Sequence, residues 1–181
     1  MPCSCAQFVE SKKIPMQTDD VQFMRQALAA ANEAAIKEEV PVGAVVVYAG
    51  EVIGAGHNQR EAAQSALGHA ELLAIEQASG HLGRWRLSEC DIYVTLEPCI
   101  MCVGAILQAR MRRLVFGCLD PKAGAVESLY RLCEDRRLNH QLPVTAGVLA
   151  SEAGAMLAEF FQRLRERKRH NPESGEVAEP G

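Results

Sequence analysis

Four residues in two short segments have the types and spacing for hydrolytic chemistry at a metal ion. His69 and Glu71 are separated by one residue, and Cys99 and Cys102 are separated by two. One imidazole and two thiolates suit zinc, and a catalytic zinc takes three protein ligands and keeps its fourth position for water. Because Glu71 need not be a ligand, the pattern favours a catalytic zinc site over a closed structural one.

The spacing also predicts the positions of these residues on their helices. Cys99 and Cys102 share one face of a helix and can hold one ion, and Pro98 fits the first turn of that helix. A helix N-terminus favours the thiolate that a metal requires. His69 and Glu71 point about 200° apart around a regular helix. We therefore expect His69 at the very start of its helix, where both side chains can face one site.

Each segment has a simpler interpretation when taken alone. A Cys-x-x-Cys pair can be a redox pair, and a His-x-Glu pair is common by chance. Together, in this order, they form the signature of the zinc nucleobase deaminases. Zinc held there would make a water molecule nucleophilic near neutral pH. Glu71 would carry the proton from that water to a ring nitrogen and to the departing ammonia.

Composition indicates an ordinary globular protein. The chain has 181 residues, of which 48% are hydrophobic, and a net charge of −4. These values predict one compact domain. No apolar run approaches the roughly 20 residues that span a bilayer, and the N-terminus lacks the apolar core of a signal peptide. We expect a cytoplasmic protein without membrane association, in which the other cysteines stay reduced. These are Cys3, Cys5, Cys90, Cys118 and Cys133.

Apolar periodicity predicts four helices and five strands. The helices are expected from a cap at 18–20 to about 39, over 69–79, from the cysteine pair to about 110, and over 152–169. The strands are expected over 42–48, 51–56, 91–96, 113–117 and 144–149. An initial hairpin followed by alternating strands and helices predicts an α/β fold with a mixed five-stranded sheet. We expect a loose extension over 1–17, a folded domain over 18–169 and a disordered acidic tail over 170–181.

The chain resembles the bacterial tRNA-specific adenosine deaminases from about Val21 to Arg165. Beyond the metal signature, the resemblance lies in Val40-Pro41-Val42-Gly43-Ala44-Val45, Tyr93-Val94-Thr95-Leu96-Glu97-Pro98-Cys99, Val115-Phe116-Gly117 and Gly147-Val148-Leu149-Ala150. It implies a three-layer cytidine deaminase-like fold. It also implies conversion of adenosine to inosine at the wobble position of an arginine tRNA anticodon.

The resemblance also assigns roles to individual residues. It implies one Zn²⁺ per subunit, held by His69, Cys99 and Cys102, with Glu71 as the proton shuttle. Asn58, which alone would be read as a turn residue, becomes a contact to the flipped base. Asp120 becomes a contact to the backbone of the tRNA anticodon stem-loop, and the protein is expected to be a homodimer. Further candidates for substrate binding are Lys122, His140, Phe160 and Arg163.

The metal signature does not identify the substrate. Deaminases of free guanine or cytosine and of nucleotides use the same scaffold, and a zinc-stabilised RNA-binding module is a non-enzymatic alternative. Glu71 argues against the module, since a structural site has no use for a carboxylate that is not a ligand. A solvated helix face is the ordinary interpretation of a basic run, but the run after Phe160 and Phe161 also suits an RNA loop. It comprises Arg163, Arg165, Arg167, Lys168 and Arg169.

Overall fold

The structure is a computed structural model that describes residues 14–170. Most of the predicted N-terminal extension, with Cys3 and Cys5, lies outside the described residues, as does the predicted acidic tail from residue 171 onward. The backbone N–H of Ile14 donates to the carbonyl of Val144 at 3.1 Å. The chain is therefore anchored to the sheet from the first described residue.

The described part of the chain contains the predicted four α-helices and five strands. The helices are α1 (Asp20–Ile36), α2 (Ala70–Leu82), α3 (Ile100–Gln108) and α4 (Ala150–His170). The strands are β1 (Gly43–Tyr48), β2 (Glu51–His57), β3 (Cys90–Leu96), β4 (Arg113–Cys118) and β5 (Val144–Ala146). Three predicted ends were wrong by three residues. α2 continues to Leu82 rather than ending near Ser79, and it stops where Gly83 adopts a left-handed φ of 64°. α1 ends at Ile36 rather than near Glu39, because Glu38 adopts a left-handed φ of 62°, and β5 ends at Ala146 rather than Leu149, because Gly147 has a φ of 86°.

The five strands form one mixed sheet in the order β2-β1-β3-β4-β5. β1 is antiparallel to β2 and β3, whereas β3, β4 and β5 run parallel. Helices α1 and α4 pack on one face and α2 and α3 on the other, which confirms the three-layer α/β fold. The β1–β2 hairpin turns at Ala49 and Gly50, whose φ values of 50° and 84° suit a type I′ turn.

Alternating side chains of the strands build the two halves of the core. Val46 and Ile92 face α2 and α3, whereas Val45 and Tyr93 face α1. A glycine brings α2 close to the sheet. A Cβ on Gly56 would lie 2.3 Å from the carbonyl oxygen of Ala70, so only glycine permits this approach. The first turn of α2 consequently lies directly against β2.

A buried ion pair joins α1 to β4. Asp20 belongs to the predicted cap and acidic first turn of α1, and its side chain points inward to Arg113. Arg113 Nη1 donates to Asp20 Oδ1 at 3.1 Å and Tyr93 Oη donates to the same oxygen at 2.9 Å. The main role of this carboxylate is therefore to accept hydrogen bonds from buried donors, rather than to interact with the helix dipole from the surface.

Candidate active site

The N-termini of α2 and α3 meet at one edge of the sheet. His69 is the N-cap of α2 with extended φ and ψ of −85° and 143°, so the prediction that it starts its helix is confirmed. Cys99 is the N-cap of α3, with φ and ψ of −75° and 174°. Pro98 therefore precedes the helix rather than lying in its first turn, and only Cys102 is helical. The backbone of Cys99 is extended because it forms a β-bridge with Gly124.

The three predicted metal ligands lie close to the distances found in a tetrahedral zinc site. His69 Nδ1 is 3.7 Å from Cys99 Sγ and 3.4 Å from Cys102 Sγ. In a tetrahedral site with ordinary Zn–N and Zn–S bonds, neighbouring ligand atoms are about 3.6–3.8 Å apart. Within residues 14–170, this is the one cluster of three or more His, Cys, Asp or Glu residues with metal-binding spacing. The donor set therefore fits zinc with one open position.

The pKa values of the two cysteines shift in opposite directions. The hydrogen bond with Cys99 and burial raise the pKa of Cys102, whereas that of Cys99 is lowered. A hydrogen bond from Cys102 and a second from His69 lower the pKa of Cys99 to about 4, although burial opposes the shift. The hydrogen bond to Cys99 in turn raises the pKa of His69. Since the thiolate is the form that binds metal, Cys99 is prepared for ligation at neutral pH.

Glu71 lies in the first turn of α2 and is only 3% exposed. Burial is the largest effect on this carboxyl group and raises its pKa above the ordinary value. A carboxyl group with a raised pKa can both accept and return a proton near neutral pH. The environment of Glu71 thus suits a proton carrier that is not itself a ligand.

A cavity of about 230 Å³ opens beside the cluster. It is smaller than the roughly 300–1,000 Å³ of sites for drug-sized ligands, so it suits a group the size of one base. Asn58 and Asp120 line this cavity together with His69, Cys99 and Glu71. The structure therefore brings these two predicted substrate residues to the predicted metal site.

Glu39 also lines the cavity and was not among the residues predicted from the sequence. Its carboxylate accepts a hydrogen bond from Asn58 Nδ2 at 3.2 Å and one from the backbone N–H of Ala62 at 2.6 Å. The only signal in the sequence was an acidic residue between a helix and a buried strand. That position suggested a solvated helix end rather than a buried carboxylate.

Glu97 is a second buried carboxylate whose role the sequence did not show. It is 2% exposed and accepts the backbone N–H groups of Asp120 at 3.0 Å and Ser128 at 2.9 Å. The backbone N–H groups of Val126 and Glu127 donate to it as well. Glu97 thereby fixes the loop 120–128, which forms one wall of the cavity.

The remaining candidates lie at different distances from the cavity. Lys122 is exposed beside Asp120, whose Oδ1 accepts its backbone N–H at 2.9 Å. His140 lies at the opposite end of α3 from Cys102, with its Nε2 3.1 Å from the carbonyl oxygen of Met111. Its side chain is occupied there, so the structure does not bring it to the cavity of the same chain.

The basic end of α4 forms a separate hollow with the end of α1. Phe160 and Arg163 line it together with Glu38 and Arg167. Arg167 pairs with Glu38 at 2.6 Å, and Arg163 lies 3.8 Å from Glu159. Part of the basic charge is therefore balanced within the protein.

Cys90, Cys118 and Cys133 form no disulfide in the described part of the chain. Among the described residues, no helix has both the length and the apolar character needed to cross a membrane.

Sequence comparisons connect this site to known proteins. The family model for MafB19-like deaminase matches residues 18–165. The tRNA-specific adenosine deaminase of Bacillus subtilis (strain 168) is 47% identical over 152 residues, which cover 84% of this chain and 94% of that protein. The tRNA-specific adenosine deaminase of Haemophilus influenzae is 42% identical over 162 residues, covering 89% and 93%.

Two solved structures of deaminases have a similar fold. A structure from a study of A-to-I editing by tRNA:A34 deaminases at the wobble position of transfer RNA superposes with a TM-score of 0.73. It is 43% identical, and the match covers 75% of this chain and 99% of that chain. The guanine deaminase from Nitrosomonas europaea superposes with a TM-score of 0.65 at 25% identity, covering 83% and 87%. With a deaminase model across most of its length and relatives above 40% identity, this chain is an enzyme that belongs to the tRNA-specific adenosine deaminase family.

Proposed function

We propose that this protein is a zinc-dependent enzyme that converts adenosine to inosine at the wobble position of an arginine tRNA anticodon. One observation supports this most strongly. A buried carboxyl group, Glu71, lies beside three groups spaced for zinc, in a base-sized cavity that also contains Asn58 and Asp120. The relatives named for tRNA deamination support the choice of substrate.

In this mechanism His69, Cys99 and Cys102 would hold one zinc ion per subunit. Zinc bound there would make a water molecule nucleophilic at neutral pH. Glu71 accepts one proton of the attacking water and gives it to the ring nitrogen. It then takes the second proton from the oxygen now bound to the ring carbon and gives it to the leaving amino group. A C–O bond forms at the ring carbon, its C–N bond breaks, and ammonia leaves as inosine forms.

The other residues of the cavity bind the substrate. Asn58 donates to and accepts from the flipped adenine, because an amide offers both functions. Asp120 contacts the backbone of the anticodon stem-loop, and exposed Lys122 adds a positive charge at the same loop. Arg163 and Phe160 contact the RNA outside the cavity. The enzyme acts as a homodimer. His140 of one subunit contacts RNA that is bound in the site of the other subunit.

The second candidate is a deaminase of free guanine. The similarity of the fold to the Nitrosomonas europaea guanine deaminase favours it. The higher identity to the tRNA-specific enzymes argues for the RNA substrate.

One assay separates the candidates. The zinc-loaded protein is incubated with an arginine tRNA transcript and, separately, with guanine, cytosine and adenosine. We expect inosine in the tRNA and no ammonia from the free compounds. Ammonia released from guanine or cytosine would contradict the proposal, and tRNA binding without turnover would favour an RNA-binding module.

A further inference from the structure

The chain reverses direction immediately before Glu39. The backbone N–H of Glu38 donates to the carbonyl of Ala35 at 3.1 Å, and that of Glu39 donates to the carbonyl of Ala34 at 3.0 Å. These two bonds, with Glu38 at a φ of 62°, form a Schellman ending of α1. The ending leaves Glu38 exposed and turns Glu39 inward, where it is only 2% exposed.

Both oxygens of the Glu39 carboxylate are used at the cavity. Oε2 accepts from Asn58 Nδ2 at 3.2 Å, and Oε1 accepts from the backbone N–H of Ala62 at 2.6 Å. An ionised carboxylate only accepts hydrogen bonds, and both of its neighbours are N–H donors. Both hydrogen bonds can therefore form only when the Asn58 amide turns its Nδ2, and not its Oδ1, toward Glu39.

This arrangement decides which way round the Asn58 amide lies. A reversed amide would place Oδ1 against the carboxylate, which would lose a buried hydrogen bond and add repulsion between oxygens. The backbone of Asn58 is held independently, because its N–H donates to the carbonyl of Val42 at 2.9 Å. Glu39 thus controls the side-chain amide in particular, and leaves Oδ1 and the second Nδ2–H for other partners.

We infer that Glu39 is a positioning residue that fixes the orientation of the Asn58 amide, so that the adenine base meets an acceptor and a donor in fixed places. The inference rests on the proposed role of Asn58 in binding the base. Within residues 14–170, the side chain of Glu39 forms hydrogen bonds with Asn58 and Ala62 but none with the predicted metal ligands or Glu71. Its effect on catalysis passes through Asn58.

The test is a double-mutant cycle of Glu39→Gln and Asn58→Ala, read as kcat/KM for deamination of the tRNA. Glutamine has the same shape but offers one acceptor and one donor, so the Asn58 amide loses its fixed partner. We expect kcat/KM to fall about tenfold for Glu39→Gln, which corresponds to about 1.4 kcal/mol. Zinc content should not change, and Glu76→Gln, the same change at an exposed position of α2, should have no effect.

The background without Asn58 distinguishes positioning from a general structural role. In the Asn58→Ala protein, adding Glu39→Gln should change kcat/KM less than twofold, because the amide that Glu39 orients is gone. An equal loss in both backgrounds would mean that Glu39 acts through Ala62 or the fold, and would overturn the inference. Full activity of Glu39→Gln would also overturn it. Glu39→Asp, which withdraws the carboxylate by one methylene, gives a second cycle with the same expectation.

A spectroscopic measurement keeps this inference separate from the proposed function. The side-chain amide signals of Asn58 are assigned in ¹⁵N-labelled protein by their loss in Asn58→Ala. They should shift in Glu39→Gln and remain in place in Glu76→Gln, and unshifted signals in Glu39→Gln would overturn the inference. If the unsubstituted protein leaves the adenosine of tRNA intact, the proposed function fails whatever the amide signals show.

Discussion

At the scale of single residues, the proposed function assigns metal binding and proton transfer to different side chains of the site. His69, Cys99 and Cys102 have their ligand atoms within 4.8 Å of one another. Glu71 follows one ligand closely in sequence but is buried in the first turn of α2 with a raised pKa. His69 and Glu71 can face the same site because His69 is the N-cap of α2. Its backbone is extended, so the angular spacing of a regular helix does not apply to the pair.

Replacing Glu71 tests this division of roles. Glu71→Gln removes the proton carrier but leaves the three ligands in place. We expect zinc content near one per subunit and a kcat lower by about 10²- to 10⁴-fold. Metal analysis and single-turnover deamination of tRNA measure the two quantities. Loss of zinc from the variant would show that Glu71 is a ligand, and Glu76→Gln on the same helix is the matched control.

At the scale of elements, short polar connections hold the loops around the cavity. Glu97 stands at the end of β3, immediately before the start of α3, and its carboxylate binds the loop 120–128. A Cβ on Gly124 would lie 2.3 Å from Glu97 Oε2, so loop and carboxylate are in close contact. The start of α3 and the wall of the cavity that holds Asp120 are thereby positioned by one side chain.

The hydrogen bonds to Glu97 predict a dependence of stability on pH. Burial by itself would raise the pKa of Glu97, but the backbone N–H of Glu127 and the other donors of the loop lower it below the ordinary value of 4.5. The carboxylate therefore stabilises the fold above pH 4.5, and this contribution is lost as the pH falls through the lower pKa of the folded state. Urea unfolding at several pH values measures it.

Glu97→Gln should remove this pH-dependent contribution. The variant leaves at least one buried donor without an acceptor, so we expect a free energy of unfolding lower by about 1–3 kcal/mol near neutral pH. The difference from the unsubstituted protein should shrink on acidification. Glu51→Gln, at an exposed position of the β1–β2 hairpin, is the control. A difference that stays constant down to acid pH would contradict the assignment.

At the scale of the whole molecule, α1 is joined to the far half of the sheet by buried charges. Asp20 and Arg113 are 93 residues apart in sequence, and both are almost fully buried. Thr145 on β5 accepts from Arg113 Nη2 at 2.8 Å and donates its hydroxyl to the carbonyl of Ile14 at 2.8 Å. The network connects the described N-terminal end, α1, β4 and β5.

Breaking this ion pair should destabilise the whole fold. Asp20→Asn removes the nearer of two carboxylates beside the buried Arg113 and leaves Asp91, at 3.8 Å, as the remaining one. Since loss of a partner from a buried ion pair typically costs about 3–5 kcal/mol, we expect a loss of about 3 kcal/mol. Asp19→Asn changes the preceding residue, which is exposed and makes no side-chain capping bond, so its effect should stay within about 0.5 kcal/mol. Chemical denaturation measures both. Equal stabilities of the two variants would contradict a structural role for the pair.

The sequence by itself determined the main elements and the pairs of residues that make up the candidate site. Apolar periodicity is a local property, and it predicted every α-helix and strand of the described chain, but not the short 3-10 helix Leu132–Glu134. The pairs His69 with Glu71 and Cys99 with Cys102 were recognisable because each lies within about one helical turn, whereas His69 and Cys99, 30 residues apart, are brought together by the fold. Cys99 shows the limit of this reasoning, since its pairing with Gly124 made it extended rather than helical.

Only the tertiary structure decided which polar residues support the site. Glu39 and Asn58 are 19 residues apart, Glu97 and Ser128 are 31 apart, and Asp20 and Arg113 are 93 apart. In the sequence each of these acidic residues resembles an ordinary exposed charge, because the neighbouring residues do not indicate a hydrogen-bond donor from a distant segment. A carboxylate that is buried away from water is stable only when it accepts hydrogen bonds from nearby donors. In this protein those donors come from distant segments of the chain, which the sheet brings together.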